Sequence, residues 1–582
     1  MRVLNRALAA TAGALVLSGL LPLQGASAAD PEPRKLWVFC SNIGNGDLFD
    51  PKDRHVAIPG GTDAPSWCRV GYALDDSRNG YVPTDVKLTL SAESVAASGY
   101  TAQQLAGMVQ VRTGYTSTLG HDWLLRHWTV RPDGSLTLTV PASTGADRSY
   151  GGLYLQLTGA PRTGTAPLKA TLEPTDPAYA GGKVEVSYDW TGQDGFQPYT
   201  PGTPGTFVPM TPARLLDTRQ GLGKVGPGRS VGVKIAGVSG VPATGVTAVV
   251  LNVTATRGTA DSYVTAYPHG AERPTASNLN FRAGQTVPNQ VTVPVQGGMV
   301  DLYNFAGDVD LIADISGYYL AGDSGQRYNP VAPKRLMDTR SVFYDHWAPV
   351  GPGGTVTLDI AKEHPDATAV TLNVTATRST AGGYVTAYPH GAARPTASNL
   401  NFTPGQTVPN QVTVPVRGGK VDLYNFAGNV DLVADLSGYY AATGAAFVPT
   451  GPTRVLDTRK DPGKPAAGGK EFDIRPNSWK YGVPPFGVTG VAMNVTVTRL
   501  TAPSYLALRP TSGCSWDHEF RPLDSTSNLN FTAGQTVANA VTTAVGPLET
   551  CGGYEFTSAV GIYNNAGTVD VIADLSGYFV KD

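Results

Sequence analysis

Apolar and polar residues alternate with a period of two through much of this chain. In the segment Val309-Asp310-Leu311-Ile312-Ala313-Asp314-Ile315-Ser316, the residues Val309, Leu311, Ala313 and Ile315 share one face, and Asp310, Asp314 and Ser316 share the other. The pattern predicts a half-buried strand, one face on a core and one in solvent. Residues 246–256, 262–267, 291–295 and 300–303 read the same way, separated by Gly-, Pro- and Asn-rich turns such as Gln296-Gly297-Gly298. Upstream, residues 86–90, 135–140 and 184–188 also alternate, and one helix is expected near residues 101–108.

Four motifs recur three times in the same order. Phe207-Val-Pro-Met-Thr-Pro-Ala-Arg-Leu-Leu-Asp-Thr-Arg219 returns at 328–340 and 447–459, and Asn252-Val-Thr returns at Asn373 and Asn494. Ser277-Asn-Leu-Asn-Phe281 returns at Ser398 and Ser527, and Ala313-Asp-Ile-Ser-Gly-Tyr318 at 434–439 and 573–578. A unit of about 120 residues is too long for a solenoid repeat and large enough to hold its own core, so each copy is expected to be a self-sufficient domain. The first two copies are nearly identical from the Asn-Val-Thr segment onward. The third has diverged and carries insertions around residues 511–524 and 545–558, so what it retains is the better guide to what the fold requires.

The expected fold is all-β: tandem antiparallel β-sandwiches, with a jelly roll as one form and a closed barrel as the alternative. Residues 29–190 form an N-terminal β-rich module, 191–206 a Gly/Pro/Thr linker, and 207–327, 328–446 and 447–582 the three repeats. Composition agrees, because Gly 69 and Pro 45 leave little room for helices in 582 residues, while 41% hydrophobic residues suffice for cores. A net charge of −2 lacks the basic footprint of a nucleic-acid binder.

Arg2 and Arg6 precede an apolar run from Ala7 to Leu23 and a small-x-small site at Ala26-Ser27-Ala28. Residues 1–28 thus read as a signal peptide, with no integral membrane segment expected after its removal. The implied location is secreted, extracellular or loosely envelope-associated. Four cysteines in an exported chain point to disulfides rather than metal. Cys40 and Cys68 lie in the N-terminal module, and Cys514 and Cys551 each fall in one insertion of the third repeat, so pairing within modules is the economical choice.

The Arg-Leu-Leu-Asp-Thr-Arg opening, the Asn-Val-Thr strand, the Ser-Asn-Leu-Asn-Phe segment and the Ala-Asp-x-Ser-Gly-Tyr-Tyr ending together resemble the tandem modules of secreted actinobacterial proteins. The resemblance covers residues 207–582, and the third copy departs from it at Phe579 and at its insertions. It implies a secreted or envelope-associated module, sometimes appended to extracellular hydrolases, with no catalytic residues to carry over.

Several residue sets are candidates for a site. In the opening strand Asp217 and Arg219 share one face and Arg214 the other, as do Asp338 and Arg340 with Arg335, and Asp457 and Arg459 with Arg454. With Asp314, Asp435 and Asp574 of the last strand they suggest a structural polar network tying first strand to last. Asp310 and Asp314 invite a calcium reading, but on one strand they stand roughly 13 Å apart and cannot chelate one ion alone. Tyr263, Tyr267 and His269, repeated as Tyr384, Tyr388 and His390, are candidate sugar-binding aromatics, and Trp123 and Trp128 are further ones. Gly322-Asp323-Ser324-Gly325 has the look of a serine nucleophile but falls in the connection between repeats.

These residues fit a secreted non-catalytic protein that binds peptidoglycan or another polysaccharide through tandem β modules, with no cofactor and no metal. Two other readings stay open. One is an extracellular hydrolase with catalysis in residues 29–190, for which His121, Asp122 and His127 must converge with Asp47 or Asp50. The other is a structural spacer or protein-binding adhesin. The oligomeric state is not legible in the sequence.

Overall fold

The alternating segments of the repeats form strands in the computed structural model, which describes residues 203–460 continuously and shorter stretches between 35 and 192 and between 465 and 581. In repeat 1 these are β1 (Gly205–Asp217), β2 (Arg229–Lys234), β3 (Val246–Thr256), β4 (Ser262–Pro268), β5 (Leu279–Phe281), β6 (Val287–Pro294), β7 (Met299–Asn304) and β8 (Asp310–Ala321). An inner sheet has the order β6-β3-β8-β1 and an outer sheet the order β2-β7-β4-β5, and every pairing is antiparallel. Strands 1-8-3-6 facing 2-7-4-5 are a jelly roll, and the closed barrel is set aside. The second and third repeats have the same order. Within repeat 1 the sheets meet over Val249, Leu251, Val253, Leu302, Leu311 and Ile315. Equivalent cores fill the other two repeats.

One expectation fails instructively. The polar face of β8 does not meet solvent, because every residue from Asp310 to Tyr319 is buried. One face of the strand covers its own core and the other lies against the neighbouring repeats. The repeats are therefore not independent beads on a string: each keeps its own core, and the three sandwiches close on one another.

Asparagines make that closure. Asn252 donates to the Ser398 carbonyl at 2.8 Å and accepts from Asn410 at 3.0 Å. Asn373 does the same with Ser527, at 2.6 Å, and Asn539, at 3.0 Å. Asn494 completes the cycle with Ser277, at 2.7 Å, and Asn289, at 2.9 Å. The same reciprocal pair at all three junctions is a pseudo-threefold ring within one chain. The Asn-Val-Thr sequons are accordingly interface residues with buried side chains.

Toward one end of the inner sheets, six rings pack in a buried cluster. Phe207 stacks on Tyr440 at 4.2 Å, Tyr319 on Phe447 at 4.3 Å and Tyr328 on Phe579 at 4.3 Å, each pair joining two different repeats. The Tyr319 and Tyr440 hydroxyls meet at 2.7 Å. The glycine of the Ser-Gly-Tyr motif is needed for this packing, since a Cβ on Gly317, Gly438 or Gly577 lies 2.3 Å from an atom of Phe207, Tyr328 or Phe447 respectively.

The N-terminal module has a five-stranded and a six-stranded sheet. Its pairings are antiparallel except that Val184–Gly192 runs parallel to His55–Gly60. A helix at Ala92–Ala97 starts at Ser91, whose hydroxyl accepts from the Ser94 N–H at 3.1 Å. Its six residues are too few to show a helical period, so the sequence reading placed the helix at 101–108, where Ala102, Leu105 and Ala106 are helical. Among the described residues no helix is long and apolar enough to cross a membrane. The predicted signal peptide, residues 1–28, lies outside them.

Candidate functional site

The Arg/Asp set predicted from the sequence does converge, in every repeat, but by a different route. A β-bulge between Arg214 and Leu216 shifts the register of β1 against β8. Arg214 therefore shares a side with Asp217 and is not on the opposite face as strict alternation implies. Its guanidinium grips Asp314 at 2.8 and 3.1 Å and reaches Asp217 at 3.2 Å, while Arg219 holds Asp217 from the other side at 2.8 and 2.6 Å. Arg335, Asp338, Arg340 and Asp435 repeat the arrangement, as do Arg454, Asp457, Arg459 and Asp574. The network also touches the neighbours: Arg454 donates to the Thr275 carbonyl of repeat 1, and Asp435 accepts from the Ser527 backbone of repeat 3. Asp310, the second half of the calcium reading, accepts from the Thr218 hydroxyl at 3.1 Å.

Hydrogen bonds from Arg459 hold the Asp457 carboxyl down to about 2, with burial opposing them. Because the folded value lies below the ordinary 3.8, the stability it contributes is full above about pH 4 and is lost as the pH falls through about 2. Asp574 moves the other way, raised by burial against the hydrogen bond of Arg454, so its contribution declines as the pH rises through its folded value. Asp457→Asn removes the first effect and relieves part of the second, because the Asp457 charge helps to raise Asp574. The gap in Tm between the native chain and Asp457→Asn is expected to narrow as the pH is lowered from about 5 to about 2, followed by scanning fluorimetry. A gap independent of pH would show that Asp457 titrates alike in the folded and unfolded chain.

The predicted aromatics lie on the outer sheet and divide into two groups. Tyr267 and Tyr388 are buried and are not a platform; the Tyr267 hydroxyl meets Ser230 at 3.1 Å. The segment between β4 and β5 covers this part of the sheet, with the Thr265 hydroxyl bonded to the Ala276 carbonyl at 2.6 Å. His269 and His390 are each tied to a carboxylate, Asp301 and Asp422, at 2.8 Å. Tyr263 and Tyr384 have different surroundings. Tyr263 stacks nearly parallel on Phe305, with centroids 4.7 Å apart and planes at 15°, and Tyr384 stacks on Phe426 at 4.6 Å and 13°. Phe305 is 51% exposed and Phe426 49%. Beside each stack an arginine lies over a further tyrosine, Arg273 over Tyr303 at 4.2 Å and Arg394 over Tyr424 at 3.8 Å.

Sequence reasoning missed Phe305 and Phe426, although the signal was there: Tyr303-Asn304-Phe305 recurs as Tyr424-Asn425-Phe426 and becomes Tyr563-Asn564-Asn565 in the third copy. The third repeat lacks the stack, and Arg509, standing where the others have Tyr267 and Tyr388, pairs with Glu471.

Trp128 is half-buried, and Trp123 is in the strand Trp123–Leu125. His121, Asp122, His127, Asp47 and Asp50 lie outside the described residues. Gly322-Asp323-Ser324-Gly325 forms the bend between repeats 1 and 2, where Asp323 accepts from Arg327 at 2.6 Å.

The fold and this surface define a single chain of three interlocked jelly rolls, two of which carry an exposed aromatic stack. No protein family matches the chain, and no curated protein does. Among solved structures, a chain from the atomic structure of Sulfolobus Turreted Icosahedral Virus is similar over 72% of this chain and 92% of its own, at 9% identity and a TM-score of 0.14, a likeness that carries no argument.

Proposed function

We propose that this is a secreted, non-catalytic binding protein, of the kind its motifs resemble, that holds cell-envelope or extracellular polysaccharide on the outer sheets of its repeats. The observation that carries this reading is the duplicated stack of Tyr263 on Phe305 and Tyr384 on Phe426, with both phenylalanines half exposed. Paired aromatic rings with one face open to water present a flat apolar surface, and the apolar face of a sugar ring is a natural partner for it. Two such stacks on one rigid unit raise avidity for a repetitive polymer such as peptidoglycan. Export and a Cys40–Cys68 disulfide belong to the same reading; the two cysteines face one another in the antiparallel register, although among the described residues no cysteine pair stands at disulfide distance. A Cys514–Cys551 bridge also remains a proposal, since Cys514 lies outside the described residues.

The test is co-sedimentation of the full chain with insoluble peptidoglycan and a panel of polysaccharides. Each stack that engages a sugar is expected to contribute about 1–2 kcal/mol, so that Phe305→Ala with Phe426→Ala weakens partitioning by roughly 100-fold. A native chain that stays in the supernatant, or a double variant that sediments like it, overturns the reading.

A further inference from the structure

The second repeat departs from the first in the loop that follows its opening strand. Val225 and Val350 are equivalent, each bridging to the residue before its repeat's last strand, Val309 and Val430. Between Asp217 and Val225 repeat 1 has a short Gly-rich turn, whereas the stretch between Asp338 and Val350 is four residues longer and carries Val342-Phe343-Tyr344-Asp345-His346-Trp347. Phe343 is 91% exposed and Trp347 65%. The loop is anchored, because His346 Nε2 lies 3.0 Å from the carbonyl of Thr357 on the edge strand Thr355–Asp359 of the outer sheet.

Between this loop and that strand opens a cleft of about 390 Å³, lined among others by Asp345, Trp347, Gly354 and Thr355. The cleft is open to solvent along one side, so a sugar ring would be held on one face only. Its lining combines an indole, a carboxylate and a hydroxyl, the groups that take the flat face and the hydroxyls of a pyranose. No lysine or arginine lines it, and the nearby Lys362 ammonium, 4.0 Å from Asp345, already faces that carboxylate, which favours a neutral sugar over a uronate or a phosphate-bearing one.

The cleft and the aromatic face already described lie on neighbouring strands of one sheet, with the Arg394 guanidinium over the Tyr424 ring between them. Thr355 pairs with Tyr424 across the sheet, and Tyr424 pairs in turn with Thr386 on the strand that carries Tyr384. With strands about 4.8 Å apart, the cleft and the Tyr384–Phe426 stack are separated by about 10 Å, a span that a short oligosaccharide covers.

We propose that the Trp347 cleft is a second glycan subsite, confined to repeat 2, that binds a neutral hexose or N-acetylhexosamine unit of the same chain that stacks on Tyr384 and Phe426. The inference rests on the polysaccharide reading and makes repeat 2 the principal binding repeat.

The test is calorimetric titration of the full chain with cellotetraose and chitotetraose, with tetragalacturonate as the anionic comparison. Trp347→Ala is expected to weaken the preferred neutral tetrasaccharide at least tenfold, Asp345→Asn to weaken it severalfold, and Leu222→Ala, in the equivalent exposed turn of repeat 1, to leave it unchanged. Because Trp347 and Asp345 stand on an exposed loop, circular dichroism of both variants should match the native chain. If Trp347→Ala binds like the native chain while Phe426→Ala does not, the cleft is overturned and the aromatic reading survives. Preference for tetragalacturonate overturns the neutral assignment, and no binding of any of the three oligosaccharides by the native chain overturns the subsite; the co-sedimentation experiment then decides the wider reading separately.

Discussion

A fragment holding repeat 1 alone, residues 203–327, is expected to elute as a trimer. In the intact chain its inner sheet is covered by repeats 2 and 3, and Phe207, Tyr319, Asn252 and Asn289 are buried there. Alone in water, that face exposes two large rings and a set of aligned amides. The contacts it makes are, however, ones it can make with copies of itself. Asn252 donates to the carbonyl of Ser398, whose equivalent in repeat 1 is Ser277, and it accepts from Asn410, whose equivalent is Asn289. A head-to-tail interface with a threefold rotation closes after three copies, and the intact chain already displays that rotation. Light scattering at micromolar concentration should give about three times the monomer mass, falling as the sample is diluted. A folded monomer with the thermal stability of the intact chain would mean that the inner face contributes little.

This closure explains which parts of the molecule were legible in the sequence. Sequence pattern located β3 to the residue and marked most of β4 and β7, because a run rich in β-branched residues and bounded by turn residues marks a strand even where both of its faces are buried, as they are in β3. Alternation misread β8. A face of Asp310, Asp314 and Ser316 looks like a solvent face, and nothing local distinguishes it from a polar face sealed against another domain. The usable signal lay in the third copy, which keeps Asn494, Ser527 and Asp574 while its surface has changed. The start of β6 was missed because Val287-Pro288-Asn289-Gln290 does not alternate; Pro288, Asn289 and Gln290 are all buried, on both sides of the strand. The bulge that turns Arg214 toward Asp217 is equally invisible, since a two-residue period assigns the wrong face as soon as one residue is inserted. On the outer surface, Tyr267 was misread because strand alternation does not show that the segment following β4 folds back over the outer face, and Phe305 was passed over because it stands one residue beyond its strand.

Replacing Arg335 by alanine is expected to destabilise the repeats by about 3–5 kcal/mol, the cost of leaving a buried charge without its partner. The Arg335 side chain is 5% exposed and grips both oxygens of Asp435, while its third nitrogen reaches Asp338 at 3.0 Å. Asp338 keeps Arg340 when Arg335 is lost, but Asp435 retains only backbone contact, and burial already pushes its carboxyl toward the protonated form. Arg214→Ala, at a side chain 25% exposed, is expected to cost about half as much, because water replaces part of the lost interaction. Arg335→Lys keeps the charge without the planar fork and should fall between the native chain and the alanine variant. Arg335→Met combined with Asp435→Leu removes both charges and should recover most of the loss. Urea unfolding of the four variants followed by near-ultraviolet circular dichroism separates these outcomes. Equal losses at Arg214 and Arg335 would show that depth of burial does not set the cost, and failure of the double variant to recover would assign the network a part in the register of β-strands beyond charge pairing.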